Sequence, residues 1–535
     1  MTPHSSAHQS DSPRNTPLPD VPHVLTLGLP HLTAGFDVAA RLDLSAHLKV
    51  HGPLAPVTGD HLAALAEDIQ LLGKGGAGFP FARKLRAVSK AAVRRGVLPV
   101  VVVNASEGEP ACRKDTVLLN RAPHLVLDGA LLAAEALGAR TLIVAVTRDS
   151  TEASLRDAFT ERGLTDRRIR NRGIRARVLR TPERMVSGEA SAVVRAANGG
   201  PALPPGRRER AAESGVAGAP TLLSNAETYA QLAVAARLGP HRYSRTGVPD
   251  EPGTVLLTLS GALPQPLVVE VPSGVPLGHV LQVAGAPPVP QGVLTGGYHG
   301  SWIDANAAHD AAVSRASLAS FGGSLGAGAL LPISDDTCAL GESLRVANWL
   351  AAETAGQCGP CKLGLPAAAG SLSDVLDGGG QAALESLREV AQAANGRGAC
   401  KHPDGSVRFL LSTLNAFTDD LAAHVLGGGC GRPTLGVLPL PGVPPRGKVS
   451  IGNEKLAVDW TLCQGHGLCA DVVPELIRLG HDGYPALADA SVPLHLRDRA
   501  QRAVRRCPAL ALRVEQIPAG RPAPSPRKAL DRRRG

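Results

Sequence analysis

Aromatic residues are scarce in this chain: Phe 7, Tyr 4 and Trp 3 amount to 3% of 535 residues, and methionine occurs twice. Its cores must be assembled from Ala, Val and Leu, so a Phe beside a glycine-rich loop stands out as a stacking surface. No apolar run reaches the roughly 18 to 20 residues that span a bilayer. The best candidates, 97–103 and 125–139, are short or interrupted. No transmembrane segment is therefore expected. The N-terminus lacks a basic start followed by an apolar core, so it does not read as a secretory signal. A cytoplasmic protein, peripheral at most at the inner face of a membrane, is expected. Nine cysteines, an odd number clustered late, argue against a disulfide framework and for metal or redox ligation in a reducing compartment.

Excess charge of one sign is also lacking over most of the chain. The net charge is +9, but residues 519–535 hold Arg521, Arg527, Lys528, Arg532, Arg533 and Arg534 against Asp531 alone. The body is nearly balanced, which excludes a nucleic-acid binder, and the tail reads as a disordered, solvated terminus able to touch an acidic partner or surface.

With 44% hydrophobic residues and this length, three or four domains are expected. Residues 1–24 show no periodicity and read as a disordered leader. An α/β pattern follows: helix 61–72, a Gly-rich loop, helix 82–94, a β-branched strand 97–103, helix 123–137 and strand 141–146. This alternation predicts a parallel sheet covered by helices, over 25–250. Strands 254–259 and 267–271 with helix 276–284 form a ββα insert within 251–300. Residues 301–335 then return to the first domain, 336–430 read as a helical bundle, and 431–447 as a Pro/Gly linker. A last domain occupies 448–518, before the basic tail.

The loop Gly73-Lys74-Gly75-Gly76-Ala77-Gly78-Phe79-Pro80 satisfies G-x-G-x-x-G but follows a helix-like stretch rather than a strand, so it is a poor dinucleotide fingerprint. It does offer backbone amides free of side chains, which can approach a phosphate or a flat ring, with Lys84 as counter-charge. A plain Gly-rich turn is the competing reading. Asn104, Glu107 and Glu109 lie just past a buried strand, where open α/β sheets bind ligands; a solvated strand-end loop is the alternative.

Taken together, Gly73–Pro80, Asn104–Pro110 with Lys114-Asp115, Ser187-Gly188-Glu189, and Pro220-Thr221 with Asn225-Ala226-Glu227-Thr228 resemble, in order and spacing, the flavin-binding 51 kDa (F-type) subunit of respiratory complex I. The similarity runs from about 60 to 430. It implies a complex I flavoprotein-like α/β sandwich with a soluble-ligand-binding β-grasp (SLBB) insert and an α-helical iron–sulfur bundle. It also implies FMN against Gly73, Gly75, Gly76, Gly78, Lys84, Asn104, Glu107, Gly188, Glu189, Asn225 and Thr228, with NAD(P)H above it near Phe79 and Glu109. Ser106, Met185, Ala190 and Ser224 depart from the family pattern. Ala87 and Arg210 replace the aromatic residues that sandwich adenine, each forfeiting on the order of 1 kcal/mol. Arg207, Arg208 and Arg210 are suited instead to a 2′-phosphate, which makes NADPH an alternative to NADH.

The segment Thr354–Lys362 resembles the family's iron–sulfur motif, with Cys358, Cys361 and the later Cys400 as ligands; Ala355 stands where the family has its first Cys. Three thiolates hold a 3Fe-4S cluster, or a 4Fe-4S cluster with an outside ligand such as His402 or water. An empty, vestigial site is the alternative. Cys463-Gln-Gly-His466-Gly-Leu-Cys469 followed by Cys507-Pro508 resembles a single-cluster actinobacterial-type ferredoxin, with His466 at the second Cys position. Such a ferredoxin-like α+β domain implies a 3Fe-4S or 4Fe-4S cluster on Cys463, Cys469 and Cys507, between terminal strands 448–451 and 510–514. A structural zinc is the alternative. Cys112, Cys338 and Cys430 have no partner at ligand spacing and read as inert thiols.

The resemblance implies a soluble NADH dehydrogenase-like oxidoreductase. Electrons would pass from NAD(P)H through FMN and the iron–sulfur clusters to a downstream acceptor protein such as a membrane reductase. No side chain is needed as a catalytic acid or base. The alternatives are an electron relay with a degenerate nicotinamide site fed by another donor, and a docking scaffold.

Overall fold

In the strand Val100–Ala105 four consecutive valines are buried, as expected of a strand covered on both faces. A computed structural model describes residues 21–164, 173–206, 210–441, 454–473, 476–480, 482–487, 492 and 497–516, and the chain divides into two units between Val443 and Pro444. In the first unit Val100–Ala105 lies between Thr141–Val146 and Thr221–Asn225, and Arg175–Arg180 adds an outer strand beyond Thr141–Val146. All four run parallel, with Val101 opposite both Leu142 and Leu222. The mixed α/β class with a parallel sheet is thus as expected.

The helices Phe81–Arg95, Pro123–Leu137 and Ala226–Leu238 cover this sheet. The last two cross backbone to backbone at Gly129, where a Cβ would stand 1.8 Å from the Tyr229 carbonyl oxygen. The crossing therefore excludes every larger residue. The expected helix 61–72 is Gly59–Asp68, and the expected strand 97–103 starts three residues later.

A second sheet alters the expected boundaries. Its order is His23–Thr26, Leu267–Pro272, Thr254–Leu259, Ala329–Ile333, Gly292–Thr295 and Ser301–Asp304. The ββα unit, completed by Leu277–Val283, is therefore not closed at residue 300, because Ala329–Ile333 pairs with both Thr254–Leu259 and Gly292–Thr295. Nor does the leader extend to 24. His23–Thr26 pairs in parallel with Leu267–Pro272, and the buried Glu270 carboxylate accepts from Leu32 N (2.8 Å), Thr33 N (2.9 Å) and Thr33 Oγ1 (2.6 Å). Burial of Glu270 demands those donors. Residues 1–20 lie outside the described residues.

The helices Ala339–Ala352, Leu365–Leu376, Gly380–Ala394, His402–Ala416 and Thr418–Val425 pack into a bundle. Part of the expected linker is not free: Val437, Leu438 and Leu440 are buried in that core, and Tyr298 Oη donates to Pro439 O at 2.5 Å. The apolar residues of 435–440 anchor it, whereas 442–453 lie outside the described residues.

In the second unit Glu454–Val458 pairs antiparallel with Leu512–Gln516, and Ile477–Leu479 with Pro485–Leu487. The helices Leu468–Val472 and Arg497–Arg506 complete it. The expected strand 448–451 and the basic tail lie outside the described residues. No single helix among the described residues is long and apolar enough to cross a bilayer.

Candidate functional site

The carboxyl ends of Val100–Ala105 and Thr221–Asn225 open onto a cavity of about 680 Å³. The first residues of Lys114–Arg121, Ala190–Ala197 and Ala226–Leu238, or their caps, line the same wall. Their positive dipole ends favour an anionic group there. Gly73, Gly75, Gly76, Gly78, Phe79, Lys84, Asn104, Glu107, Glu109, Gly188, Glu189 and Asn225 all reach this cavity. Thr228 does not; it is buried, and its Oγ1 accepts from Lys74 N at 2.9 Å, tying the glycine loop to a helix.

The loop keeps its shape through left-handed backbone at Gly76 (φ 110°) and Gly78 (φ 60°), which disfavours any side chain there. An added Cβ at Gly76 would meet no atom nearer than 3.9 Å, so its missing side chain leaves a cradle open. Arg315 holds the loop from behind, donating to Gly73 O at 3.1 Å and Gly76 O at 3.2 Å. It is distant in sequence and was not foreseen. Phe79 is 45% exposed, with the Arg83 guanidinium 5.5 Å from its ring centre. Lys84 Nζ donates to Leu223 O at 2.8 Å, and burial lowers its pKa.

Several of these side chains also build the wall. Glu107 accepts from Asp115 N (2.8 Å), Thr116 N (2.9 Å) and Thr116 Oγ1 (2.6 Å), so both its oxygens hold the start of Lys114–Arg121. Glu189 and Asn225 cap the helices that follow them, and Asn104 Nδ2 donates to Gly188 O at 2.8 Å. Lys114, Asp115 and Asn225 form one buried network, in which Lys114 Nζ reaches Glu227 Oε2 at 2.5 Å. Glu109 accepts from Tyr298 N at 3.2 Å, and burial pushes its carboxyl up to about 8. The side-chain-free cradle, the Lys84 cation, the Asn104 amide and the helix starts fit a flat cofactor with an anionic tail.

The opposite wall comes from the bundle: Cys400, His402, Asp404 and Arg408 line the cavity with His299. Cys361 lies in a π-helical turn, Pro360–Gly364, a distortion that often marks a site. Its thiol is pushed up to about 12 by burial, with Cys358 and Cys400 close enough to add to the shift. Burial raises the Cys400 thiol as well, whereas at Cys358 burial is outweighed by hydrogen bonds that lower it; a polycationic cluster would stabilise all three as thiolates.

His402 cannot serve as the outside ligand. Its Nε2 is engaged by Leu350 O at 2.8 Å and its Nδ1 by His299 Nε2 at 2.9 Å. Nor do all the remaining thiols lack a partner. Cys338 Sγ lies 3.5 Å from His424 Nε2, and Cys430 converges on both. Cys112 is buried, as expected, at the cavity wall.

In the second unit Cys463, Cys469 and Cys507 are half-buried. The charges of Cys463 and Cys507 contribute, after burial, to raising the Cys469 thiol pKa. Gly465 (φ 68°) and Gly467 (φ 73°) turn the chain on either side of His466. Arg210 is exposed, whereas Arg207 and Arg208 lie outside the described residues.

A cradle for a flat cofactor with an anionic tail, on a cavity that one member of a cysteine triad, Cys400, also lines, with a second triad in a unit of its own, defines a flavin and iron–sulfur electron-transfer protein. Residues 66–234 match the Nuo51 FMN-binding domain, 342–424 the NADH-ubiquinone oxidoreductase-F iron–sulfur binding region, and 456–514 a 4Fe-4S single cluster domain. Over the first two of these regions the chain is similar to F-type subunits of NADH-quinone oxidoreductase, and the single-cluster match lies beyond them. It is 28% identical over 385 residues to the F 2 subunit of NADH-quinone oxidoreductase from Rhizobium meliloti, covering 70% of this chain and 90% of that one. It is 27% identical over 417 residues to the NADP-reducing hydrogenase subunit HndC of Solidesulfovibrio fructosivorans, covering 76% and 81%. Among solved structures, NAD+-reducing [NiFe]-hydrogenase in the H2-reduced state superposes with a TM-score of 0.65 at 26% identity, over 76% of this chain and 68% of that one.

Proposed function

We propose that this chain takes electrons from NAD(P)H at the cavity and releases them through its cysteine triads to a separate acceptor protein. One observation carries the reading: the glycine cradle and Cys400 face a single cavity, so a ring seated on Gly73–Gly78 is next to a cluster ligand. FMN, when bound, supplies the exchange between paired and single electrons that a nicotinamide and a cluster require.

The chain's own groups then orient and stabilise. Lys84 and the helix starts offset negative charge at the cradle. Phe79, half-exposed at the mouth, offers a face for a nicotinamide, and Glu109 supplies a polar edge on the same side. Cys358, Cys361 and Cys400 would hold one cluster, and Cys463, Cys469 and Cys507 another. No side chain is asked to act as a general base. The strands Thr254–Leu259 and Leu267–Pro272 with Leu277–Val283 support the reading of a β-grasp module extended by the neighbouring strands. The covalent tether raises the effective concentration of the second unit as an electron carrier without requiring affinity. A cytoplasmic setting, with all nine thiols free, suits both triads.

Anaerobic titration with NADH and with NADPH is the test. Visible flavin and cluster absorption that bleaches with either supports the reading, and the more effective donor identifies the nucleotide. Cofactors that stay oxidised with both would make the chain a relay fed by another donor. A colourless, iron-free protein would make it a scaffold.

A further inference from the structure

Cys338 caps the helix Ala339–Ala352, and its Sγ accepts from Gly341 N at 3.2 Å. His424 lies in the last turn of Thr418–Val425. The chain then reverses through Gly427 (φ 82°) and Gly429 (φ 65°), which brings Cys430 back toward the helix. The Cys338 Sγ, the Cys430 Sγ and one imidazole nitrogen of His424 all lie within 4.8 Å of one another, with Cys338 Sγ to His424 Nε2 at 3.5 Å.

We infer that Cys338, His424 and Cys430 bind a single divalent metal ion, zinc by preference, that clips the segment after the bundle onto the bundle's first helix. Bond lengths of about 2.3 Å to sulfur and about 2.0 Å to nitrogen in a tetrahedron place such ligand atoms about 3.5 Å apart, close to the separation seen here. An iron–sulfur cluster would hold its cysteines much farther apart, so this is a mononuclear site. Two thiolates and a neutral imidazole compensate a divalent charge, which burial of the site requires; Cys338 and His424 are both buried. Soft sulfur with imidazole selects zinc over calcium or magnesium.

The surroundings are built to hold this geometry. Asp420, one helical turn before His424, is buried, and its Oδ2 has no hydrogen-bond partner, so it offers an acceptor for a water that completes the metal's coordination. Its other oxygen takes the Arg432 guanidinium, which also reaches Gln291 Oε1 at 2.7 Å. Cys338 N donates to Pro433 O at 2.8 Å, and a Cβ on Gly341 would collide with Thr434 Oγ1 at 2.0 Å. The returning strand of chain is thus already in register against the helix start. A disulfide between the two cysteines would use neither His424 nor the free oxygen of Asp420.

The test is metal analysis of the full-length protein, isolated anaerobically from cells grown with zinc, together with iron, sulfide and flavin content. The expected result is stoichiometric zinc in the parent protein. Cys338→Ser, Cys430→Ser and His424→Ala should lose it with iron and flavin contents unchanged. Zinc retained in those variants would overturn the proposal, as would a zinc-free parent or a Cys338–Cys430 disulfide found by mass spectrometry. Should the variants fail to fold, zinc-edge X-ray absorption on the parent protein decides: mixed sulfur and nitrogen or oxygen neighbours support the site, and sulfur-only neighbours refute it.

Discussion

Lys114 Nζ and Glu227 Oε2 meet at 2.5 Å with only 2% of each side chain exposed, joining two helix starts beneath the cavity. Nearby acids, Asp115 and Glu227, outweigh burial and raise the Lys114 pKa, so the lysine stays charged at any working pH. Replacing it by Met leaves two acidic side chains buried without their cation. The expected loss is about 3 to 5 kcal/mol of stability, read as a lower urea midpoint at unchanged slope. A loss below about 1 kcal/mol would show that the network is solvated.

Glu109 makes stability pH-dependent. Burial raises its carboxyl from 4.5 to about 8 in the folded chain. The folded state then holds this proton more tightly than the unfolded state does, so its contribution falls as pH rises from about 4.5 to about 8. Glu109→Gln removes that contribution. Urea midpoints of the two proteins across this window should diverge most at the alkaline end, with the variant the more stable; parallel profiles would place the Glu109 carboxyl in water.

Lys84→Ala tests the cradle. Losing one charged contact to an anionic cofactor weakens binding by about 1.5 to 3 kcal/mol, or on the order of 10- to 100-fold in dissociation constant. Flavin fluorescence released on dilution measures this. Unchanged flavin retention would move the pocket elsewhere.

The two cysteine triads lie in different units, so their losses should separate. Cys463→Ser or Cys507→Ser should abolish one electron paramagnetic resonance signal and spare both flavin reduction and the signal from the bundle. Simultaneous loss of both signals would contradict independent sites.

Much of this architecture was legible in local pattern. The four valines of Val100–Val103 announce a buried strand, the glycines of 73–78 a close approach, and each motif's cysteines a cluster, because these signals need only neighbours in the chain. Arg315 behind the glycine loop and His402 locked by Leu350 and His299 carry no such signature, since their partners lie tens to hundreds of residues away. The same holds for the second sheet, whose strand Ala329–Ile333 finds Thr254–Leu259 across a long excursion.

Residue order alone therefore settled which chemistry the chain carries: flavin cradle, two cysteine triads, and no bilayer-length apolar run. Folding in three dimensions decided what those groups meet. It placed Cys400 on the wall of the cradle's cavity and brought Cys338 within reach of His424 and Cys430. The physical reason is range: helix and strand periodicities, turns and ligand spacings act over a few residues, whereas convergence of side chains from separate elements depends on how whole sheets and helices pack.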